Sequence, residues 1–477
     1  MRRGLRFTRC HSQPLCSPTR ATILTGRHPF EHTVGNPSNS SILPTSELTL
    51  PEIFTAQNSR FGMAAYGKWH LGGTANAPSV RGGWPEFSGI RRGGVTNYTL
   101  WDKLENGTTT EDVTSYTTTD QVNEGTDFIV SQGTNPWFLW MAFNAPHTPF
   151  HSPPSNLAPV GGYSTSGSSN SDQYIRALEA LDTEIGRLLT VVDLNRTNVI
   201  VIGDNGTPGQ VVQAPFGNGH AKGDLYQGGI HVPLFAVGPD IRITGTTDKL
   251  VHCVDLFSTI LDLGGIDGNA ATAGFSTHSQ SLLPIFHGTD TASRCVIAEK
   301  FGDNNGNGRA LISDVHPDYK LIIFGDKDDI SDTPIFELYN LPSDENEQTN
   351  LLLSPLSNEA QSAYDHLLAK DLALGGGYSD SPAGSFDTIY IELPNRTGPT
   401  SPPNNLSVNP TAIIIDGQSA SFVAREDSSG TTQRYWVKCS LTPGTGGPFT
   451  SATVTFPNNP NTGGARSFNS TQIIANP

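Results

Sequence analysis

Residues Cys16 to Arg27 read CSPTRATILTGR and set a sulfur side chain at a place built to hold an anion. Ser17 suits an N-cap, Pro18 the first helical position and Gly26 the stop, so a short helix over Pro18–Thr25 is predicted. Cys16 then lies at the helix N-terminus, where free backbone N–H groups and the positive dipole end favour negative charge. Arg20 adds a cation one turn in. Four more groups suit the same anion: Lys68 and His70 in Gly67-Lys68-Trp69-His70, His147 in Asn144-Ala145-Pro146-His147-Thr148-Pro149, and Lys222 in GNGHAKGDLYQGG from Gly217 to Gly229. Asp204 and Asn205 place a carboxylate beside an amide carbonyl, hard oxygen donors suited to Ca²⁺ or Mg²⁺ rather than zinc. Taken alone, Asp204-Asn205-Gly206 is more often a turn.

These side chains need elements to carry them. Phe61 to Leu71, FGMAAYGKWHL, reads as a small apolar strand, and continued strand geometry would put Lys68 and His70 on one face. Trp137 to Phe143, WFLWMAF, predicts a strand buried on both faces of a parallel sheet. His147 follows just beyond its carboxyl end, where α/β sheets bind ligands. Ile175, Leu178, Leu181, Ile185, Leu188 and Val192 recur with a helical period across Asp172 to Val192, predicting a helix packed on the sheet. Asn198 to Ile202 is predicted as another buried strand, ending at Asp204 and Asn205. Pro233 to Val237 and Val251 to Leu263 continue the α/β alternation. Residues 74 to 120 read as loop-rich, and Arg91, Arg92, Trp84, Tyr98 and Trp101 there either line a pocket or are solvated arginines and core aromatics.

The chain has 477 residues, enough for two or three domains, and a globular composition that is 35% hydrophobic and 16% charged. Its formal net charge of −16 argues against nucleic acid and anionic membrane surfaces as partners. An acidic protein that binds an anion must gather positive charge locally, and Arg20, Lys68, His70, His147 and Lys222 supply such a set. Five cysteines show no zinc-like spacing, and no apolar run reaches transmembrane length. The first residues, MRRGLRFTRCHSQPL, lack the apolar core of a signal peptide.

Cys16-x-Pro18-x-Arg20, continued by Leu24-Thr25-Gly26-Arg27, resembles the signature of type I sulfatases, and Gly67-Lys68-Trp69-His70 resembles the second signature of that family. The resemblance implies an alkaline-phosphatase-like α/β core and conversion of Cys16 to formylglycine by a formylglycine-generating enzyme. It also implies sulfate contacts from Lys68, His147 and Lys222, a hydrogen bond from His70 to the aldehyde hydrate, and a calcium site that includes Asp204 and Asn205, with Mg²⁺ the less expected metal. Gln227 and His231 stand where the family commonly has Glu and Arg. The family resemblance further implies a preceding strand that ends in paired aspartates. Residues 1–15 contain no Asp or Glu, so the expectation is a piece of a longer protein or a degenerate homologue.

The expected organisation is a catalytic core over 1–325, a small α+β subdomain over 326–374, and an all-β module over 375–477 behind a Gly, Ser and Pro-rich linker. The expected activity is hydrolysis of an aryl or carbohydrate sulfate ester, in the periplasm or outside the cell, with a sulfated small molecule or polysaccharide as partner. Two alternatives are a homologue that binds sulfated ligands without turnover, and a phosphatase or phosphodiesterase of the same superfamily.

Overall fold

The computed structural model describes residues 4–38, 42–57, 60–72, 78–158, 168–268, 272, 275–302, 307–325 and 335–373. It also describes strands within 388–475. The chain divides into two units, Met1–Ile322 with Glu337–Tyr364, and Ile323–Phe336 with Asp365–Pro477.

The first unit opens with β1 (Leu5–Phe7), β2 (Cys10–His11) and the helix α1 (Cys16–Thr25). It continues with β3 (Gly62–Lys68), β4 (Glu86–Ile90), β5 (Trp101–Glu105), β6 (Thr108–Val113) and β7 (Trp137–Ala142). After these come β8 (Val199–Ile202), β9 (Leu234–Val237), β10 (Gly245–Thr247) and β11 (Val251–His252). One sheet has the order β6-β5-β4-β3-β7, with β3 parallel to β4 and β7. A second has the order β10-β1-β9-β8, with β9 antiparallel to β1 and β8. β2 and β11 form a parallel pair. Further on, β12 (Cys295–Lys300), β13 (Gly308–Ser313), β14 (Tyr319–Phe324) and β15 (Ile335–Asn340) make a four-stranded sheet in that order.

Every residue of α1 is buried, although half of them are polar. Ala21 and Leu24 join one apolar cluster with Phe54, Met63, Trp69 and Phe257, while Ile23 joins another with Leu5, Phe7, Leu234 and Ala236. Buried polar groups must find partners. Thr22 meets His32 Nε2 at 3.1 Å, and Thr25 donates to the Ala21 carbonyl at 2.8 Å. Gly26 stops the helix in the left-handed conformation at φ 69°, as its position predicted.

Three expectations are corrected. The stretch read as loop-rich carries more regular structure than expected: among its described residues 78–120 lie β4, β5, β6 and the start of a helix over Thr117–Gln132. β7 and β8 are not buried on both faces. Among the described residues each is a sheet edge, bonded to one neighbour, so β7 is half-buried over five of its six residues and Val201 of β8 is 38% exposed. The helix after the His147 loop runs Asn170–Leu188 and buries less of its apolar stripe than predicted: Leu188 packs on the sheet in one cluster with Ala64 and Tyr66, whereas Ile175, Leu181 and Ile185 are half-buried and Leu178 is 40% exposed. The helix also packs against the helix Thr117–Gln132, where its buried Glu184 is satisfied by Thr119 and by Arg187, the latter at 2.6 Å.

The second unit carries one seven-stranded sheet, ordered β21-β20-β17-β18-β19-β16-β22. Its strands are β16 (Thr388–Leu393), β17 (Ala412–Ile415), β18 (Gln418–Asp427), β19 (Tyr435–Ser440), β20 (Ser451–Phe456), β21 (Gly464–Asn469) and β22 (Ile473–Ala475). The predicted linker from Gly375 lies outside the described residues. Among the described residues, no helix is long and apolar enough to cross a membrane.

Candidate active site

The helix α1 begins at Cys16 itself, two residues earlier than predicted, with Leu15 as an extended N-cap and no side-chain cap. Ser17 is therefore free to donate to the His70 carbonyl at 2.8 Å. This bond, with one from the His70 N–H to the Arg91 carbonyl at 2.9 Å, holds His70 after β3 has ended. His70 adopts φ 58°, so strand geometry does not continue past Lys68, correcting the shared-face expectation. The ring still reaches the cysteine, with Nδ1 3.3 Å from Cys16 Sγ. A left-handed histidine is uncommon and costs backbone energy, here at a functional position.

One turn into α1, Arg20 binds both sides of the site. Its Nη1 donates to the Lys68 carbonyl at 2.6 Å, and its Nη2 lies 3.5 Å from Asp204 Oδ2. Thr19 donates to the Asp204 carbonyl at 2.6 Å. The helix thus fastens the carboxyl ends of β3 and β8 to the start of its own dipole.

The charges act on one another. Burial alone would push the Cys16 thiol up, but the Lys68 charge, the His70 hydrogen bond and the Lys222 charge bring it down to about 5. Burial lowers Lys68, opposed by Cys16 and Asp204, with Arg20 and Lys222 pushing it down further. His147 is lowered to about 4, first by burial and then by Lys68 and Lys222. Asp204 ends below its ordinary value because Arg20, Lys68, Lys222 and His147 outweigh its burial. Cys16, Arg20, Lys68, His70, His147, Lys222 and Asp204 therefore converge on one site, with Asn205 next in the chain.

Alkylation makes this field measurable. In unconverted protein, Cys16 is expected to react with iodoacetamide at a rate that is half-maximal near pH 5, whereas buried Cys10 and Cys253 have raised thiols and stay inert. Lys68→Met removes the charge that lowers Cys16 most and should move the midpoint upward, read by peptide mass spectrometry across pH.

Several residues have positioning roles that the sequence did not signal. Tyr98 is buried, and its hydroxyl lies 2.9 Å from the Asn144 carbonyl and 2.7 Å from the His147 carbonyl, pinning the His147 loop. Trp84, Tyr98 and Trp101 are all core residues, so the pocket alternative fails for these aromatics. Gly93 and Gly94 lie against the two histidines. A Cβ on Gly93 would sit 2.6 Å from His70 Cε1, and one on Gly94 would sit 2.9 Å from His147 Nδ1. His70 cannot yield without losing Cys16, nor His147 without losing its 3.0 Å contact to the Thr148 carbonyl. Gly93→Ala and Gly94→Ala are each expected to cost about 1–3 kcal/mol from overpacking. Gly93→Ala should also raise the Cys16 thiol, an effect that Gly94→Ala lacks. Denaturation and alkylation profiles read the two effects separately.

Lys222 rides on a loop anchored from several directions. Its N–H donates to the Thr207 carbonyl at 2.9 Å, and the next N–H, of Gly223, donates to the Pro14 carbonyl at 3.0 Å. Tyr226 donates to Glu337 at 2.8 Å, and the Gln227 N–H donates to Glu347. Gln227 Oε1 lies 3.2 Å from His11 Nε2, and His11 stacks on His231, so the two departures from the family pattern pack together through His11.

The donors for a cation can be tested directly. Asn205 Oδ1 is buried with no hydrogen-bond partner, an orphan acceptor next to the Asp204 carboxylate. These are hard oxygens of the right kind for Ca²⁺, which takes about six to eight. Among the described residues, no three His, Cys, Asp or Glu side chains gather in a metal-holding group. The set fits one flank of a calcium site.

The family model described as Sulfatase matches residues 1–266. The chain is 28% identical over 302 residues to the uncharacterized sulfatase YdeN of Escherichia coli, covering 56% of this chain and 52% of that protein. It is 28% identical over 305 residues to human N-acetylgalactosamine-6-sulfatase, covering 55% and 56% respectively. The chain thus spans about half the length of the curated relatives it matches. Among solved structures, Ps i-CgsB in complex with k-i-k-neocarrahexaose aligns with TM-score 0.63 at 20% identity, over 78% of this chain and 84% of that one. BT4656 in complex with D-glucosamine-2-N,6-O-disulfate aligns with TM-score 0.62 at 19% identity, over 78% and 91%. At such identities the likeness is one of fold, the alkaline-phosphatase-like α/β core.

Proposed function

The chain belongs to the sulfatase family, and from that premise we propose that it hydrolyses a sulfate ester of a carbohydrate or aryl alcohol at Cys16. The observation that carries this reading is the cationic cradle around a single buried sulfur: Lys68, His70 and Lys222 together hold the Cys16 thiol down to about 5. A site that stabilises a thiolate against burial also stabilises a sulfate group or an oxyanion.

Converted to formylglycine, Cys16 supplies a geminal diol, one hydroxyl to attack sulfur and a second whose deprotonation expels sulfate and restores the aldehyde. The Cys16 sulfur marks where those oxygens stand. His70, 3.3 Å away through Nδ1, is placed to orient one hydroxyl and take its proton. Lys68 and Lys222 carry the positive charge that meets the sulfate oxygens. His147, lowered to about 4, is neutral at pH 7 and spends its one N–H on the Thr148 carbonyl, which leaves Lys222 to protonate the departing alcohol. Arg20 binds the Lys68 carbonyl and the Asp204 carboxylate, and so fixes the cradle. Asp204 and Asn205 would hold Ca²⁺ on one flank, where the ion would supply charge to the sulfate oxygens.

Support for further donors comes from β7 and β8. These apolar strands are edges of separate sheets, and both lead at their carboxyl ends into this site, β7 to His147 and β8 to Asp204. We propose that an additional strand pairs there and brings the carboxylates that the family resemblance implies. Maturation by a formylglycine-generating enzyme and export from the cytoplasm belong to the same proposal.

The test is mass spectrometry of the Cys16 peptide after co-production with a formylglycine-generating enzyme, beside hydrolysis of an aryl sulfate with and without calcium. An aldehyde mass with calcium-dependent turnover supports the reading. Conversion without turnover in this chain, together with turnover in a chain extended upstream, supports the additional strand. Sulfate affinity with neither conversion nor turnover favours the second reading, a sulfate-binding protein, to which the half-complete oxygen set points.

A further inference from the structure

A proton for the departing oxygen must come from a donor held about 3 Å away, and a misplacement of about 1 Å costs roughly a hundredfold in rate. A lysine side chain is a flexible four-carbon stem, so Lys222 is only as well placed as the backbone that carries it. That backbone is the glycine-rich stretch 217–229, which has little stiffness of its own. Its order has to come from contacts.

The contacts lie at the neck of the loop. His220 and Tyr226, one on each side of Lys222 in the chain, bring their rings face to face, with centroids 3.7 Å apart and planes 11° from parallel. The backbone closes at the same place. A Cβ on Gly228 would collide with the His220 carbonyl oxygen, an approach that only glycine allows. Each ring is also held from outside the loop. His220 Nδ1 donates to the Asn346 carbonyl at 3.0 Å, and Tyr226 donates to Glu337 Oε2 at 2.8 Å. Tyr339 donates to that same oxygen at 2.8 Å, which fixes the Glu337 carboxylate on β15. Between the two rings the chain passes through Lys222, whose charge acts on Cys16, His147 and Asp204.

We propose that the His220–Tyr226 stack is a clasp that positions Lys222 for proton delivery, with Glu337 fixing the angle of the clasp. His220 and Tyr226 are positioning residues, acting through Lys222. The inference rests on the reading of Lys222 given above. Its consequence is selective, because an ester whose alcohol leaves poorly needs the donated proton and an ester of an acidic phenol does not. Opening the clasp therefore narrows the range of esters that turn over.

The experiment has two readouts on the full chain. In unconverted protein, the pH midpoint of Cys16 alkylation reports whether the Lys222 charge still reaches the sulfur, with Lys222→Met as the reference for complete loss. His220→Leu removes the stack and is expected to move the midpoint upward, most of the way to that reference. His220→Phe keeps a flat ring and should stay close to the parent. In converted protein, His220→Leu should lower kcat/KM for glucose 6-sulfate about a hundredfold and for 4-nitrophenyl sulfate less than about threefold. Equal loss on both esters, or a parent midpoint in folded His220→Leu, overturns the clasp. An equal upward shift in His220→Phe also overturns it, since the bond to Asn346 would then be what matters. If urea denaturation shows His220→Leu to be unfolded, two milder variants decide. Tyr226→Phe loses the bond to Glu337 and should raise the midpoint, whereas Glu337→Gln can still accept both hydroxyls and should not. An unmoved midpoint in Tyr226→Phe overturns the clasp. An unmoved midpoint in Lys222→Met overturns the placement of Lys222 in the cradle, and the clasp with it.

Discussion

Cys16→Ala is expected to lower sulfate ester turnover by about 10⁴-fold or more, because no other side chain in the cradle can form and release the covalent intermediate. Lys68 and Lys222 keep their charge in the variant, so affinity for inorganic sulfate should survive. It should in fact exceed that of the unconverted protein. With its thiol at about 5, the unconverted protein carries an anionic sulfur at pH 7 in the position a bound sulfate would approach. Two like charges in a buried site repel strongly. Turnover assays and sulfate calorimetry on three proteins, converted, unconverted and Cys16→Ala, therefore give a pattern that a merely structural cysteine would not produce. In that case the variant would lose stability and leave affinity unchanged.

Glu347→Ala is expected to destabilise the protein by about 3–5 kcal/mol, the cost of leaving a buried charge without its counterion. Lys320 and Glu347 are fully inaccessible, with Nζ 2.6 Å from Oε1. Burial pushes Lys320 down, and Glu347 is the first of the groups that oppose it. The second oxygen of Glu347 accepts the N–H of Gln227, five residues beyond Lys222. The same substitution should therefore loosen the Lys222 loop and lower kcat/KM as well as the denaturation midpoint. Lys320→Met with Glu347→Leu removes both charges and should recover much of the stability without restoring the bond to Gln227. Urea denaturation separates the two contributions: recovered stability with activity still low assigns the loop effect to that one hydrogen bond.

How far the sequence could be read divides along a physical line. As a candidate site, Cys16, Arg20, Lys68, His147 and Asp204 were legible because reactive types stood in the first turn of a helix or at and just beyond strand ends, and His70 and Lys222 because of the family resemblance. The positioning roles of Tyr98, Glu347 and the Gly93–Gly94 pair were not, since each acts through a partner at least 23 positions away in the chain or through the absence of a side chain. Apolar runs also announced β7 and β8 as strands, but an apolar run does not reveal whether a neighbour pairs on each side. The helix Asn170–Leu188 misled for a related reason. Its large residues follow a helical period, yet within the helix only Leu188 of them is fully buried, and the helix Thr117–Gln132 meets it at the polar Glu184 and Arg187 through Thr119.

The apolar edges of β7 and β8, each without a second neighbour among the described residues, bear on how this chain behaves in the test tube when no further strand covers them. A strand whose backbone amides and carbonyls face outward is a template for any other extended chain, and WFLWMA and VIVI contain no charged residue or proline to discourage pairing. What opposes self-association is the formal net charge of −16, which keeps molecules apart only over a distance set by ionic strength. That distance is about 8 Å in physiological salt and about 3 Å at 1 M. Solubility of the isolated chain should therefore fall as salt is added, opposite to the salting-in of a protein with covered edges, and dilute, low-salt buffer is the condition in which to purify it.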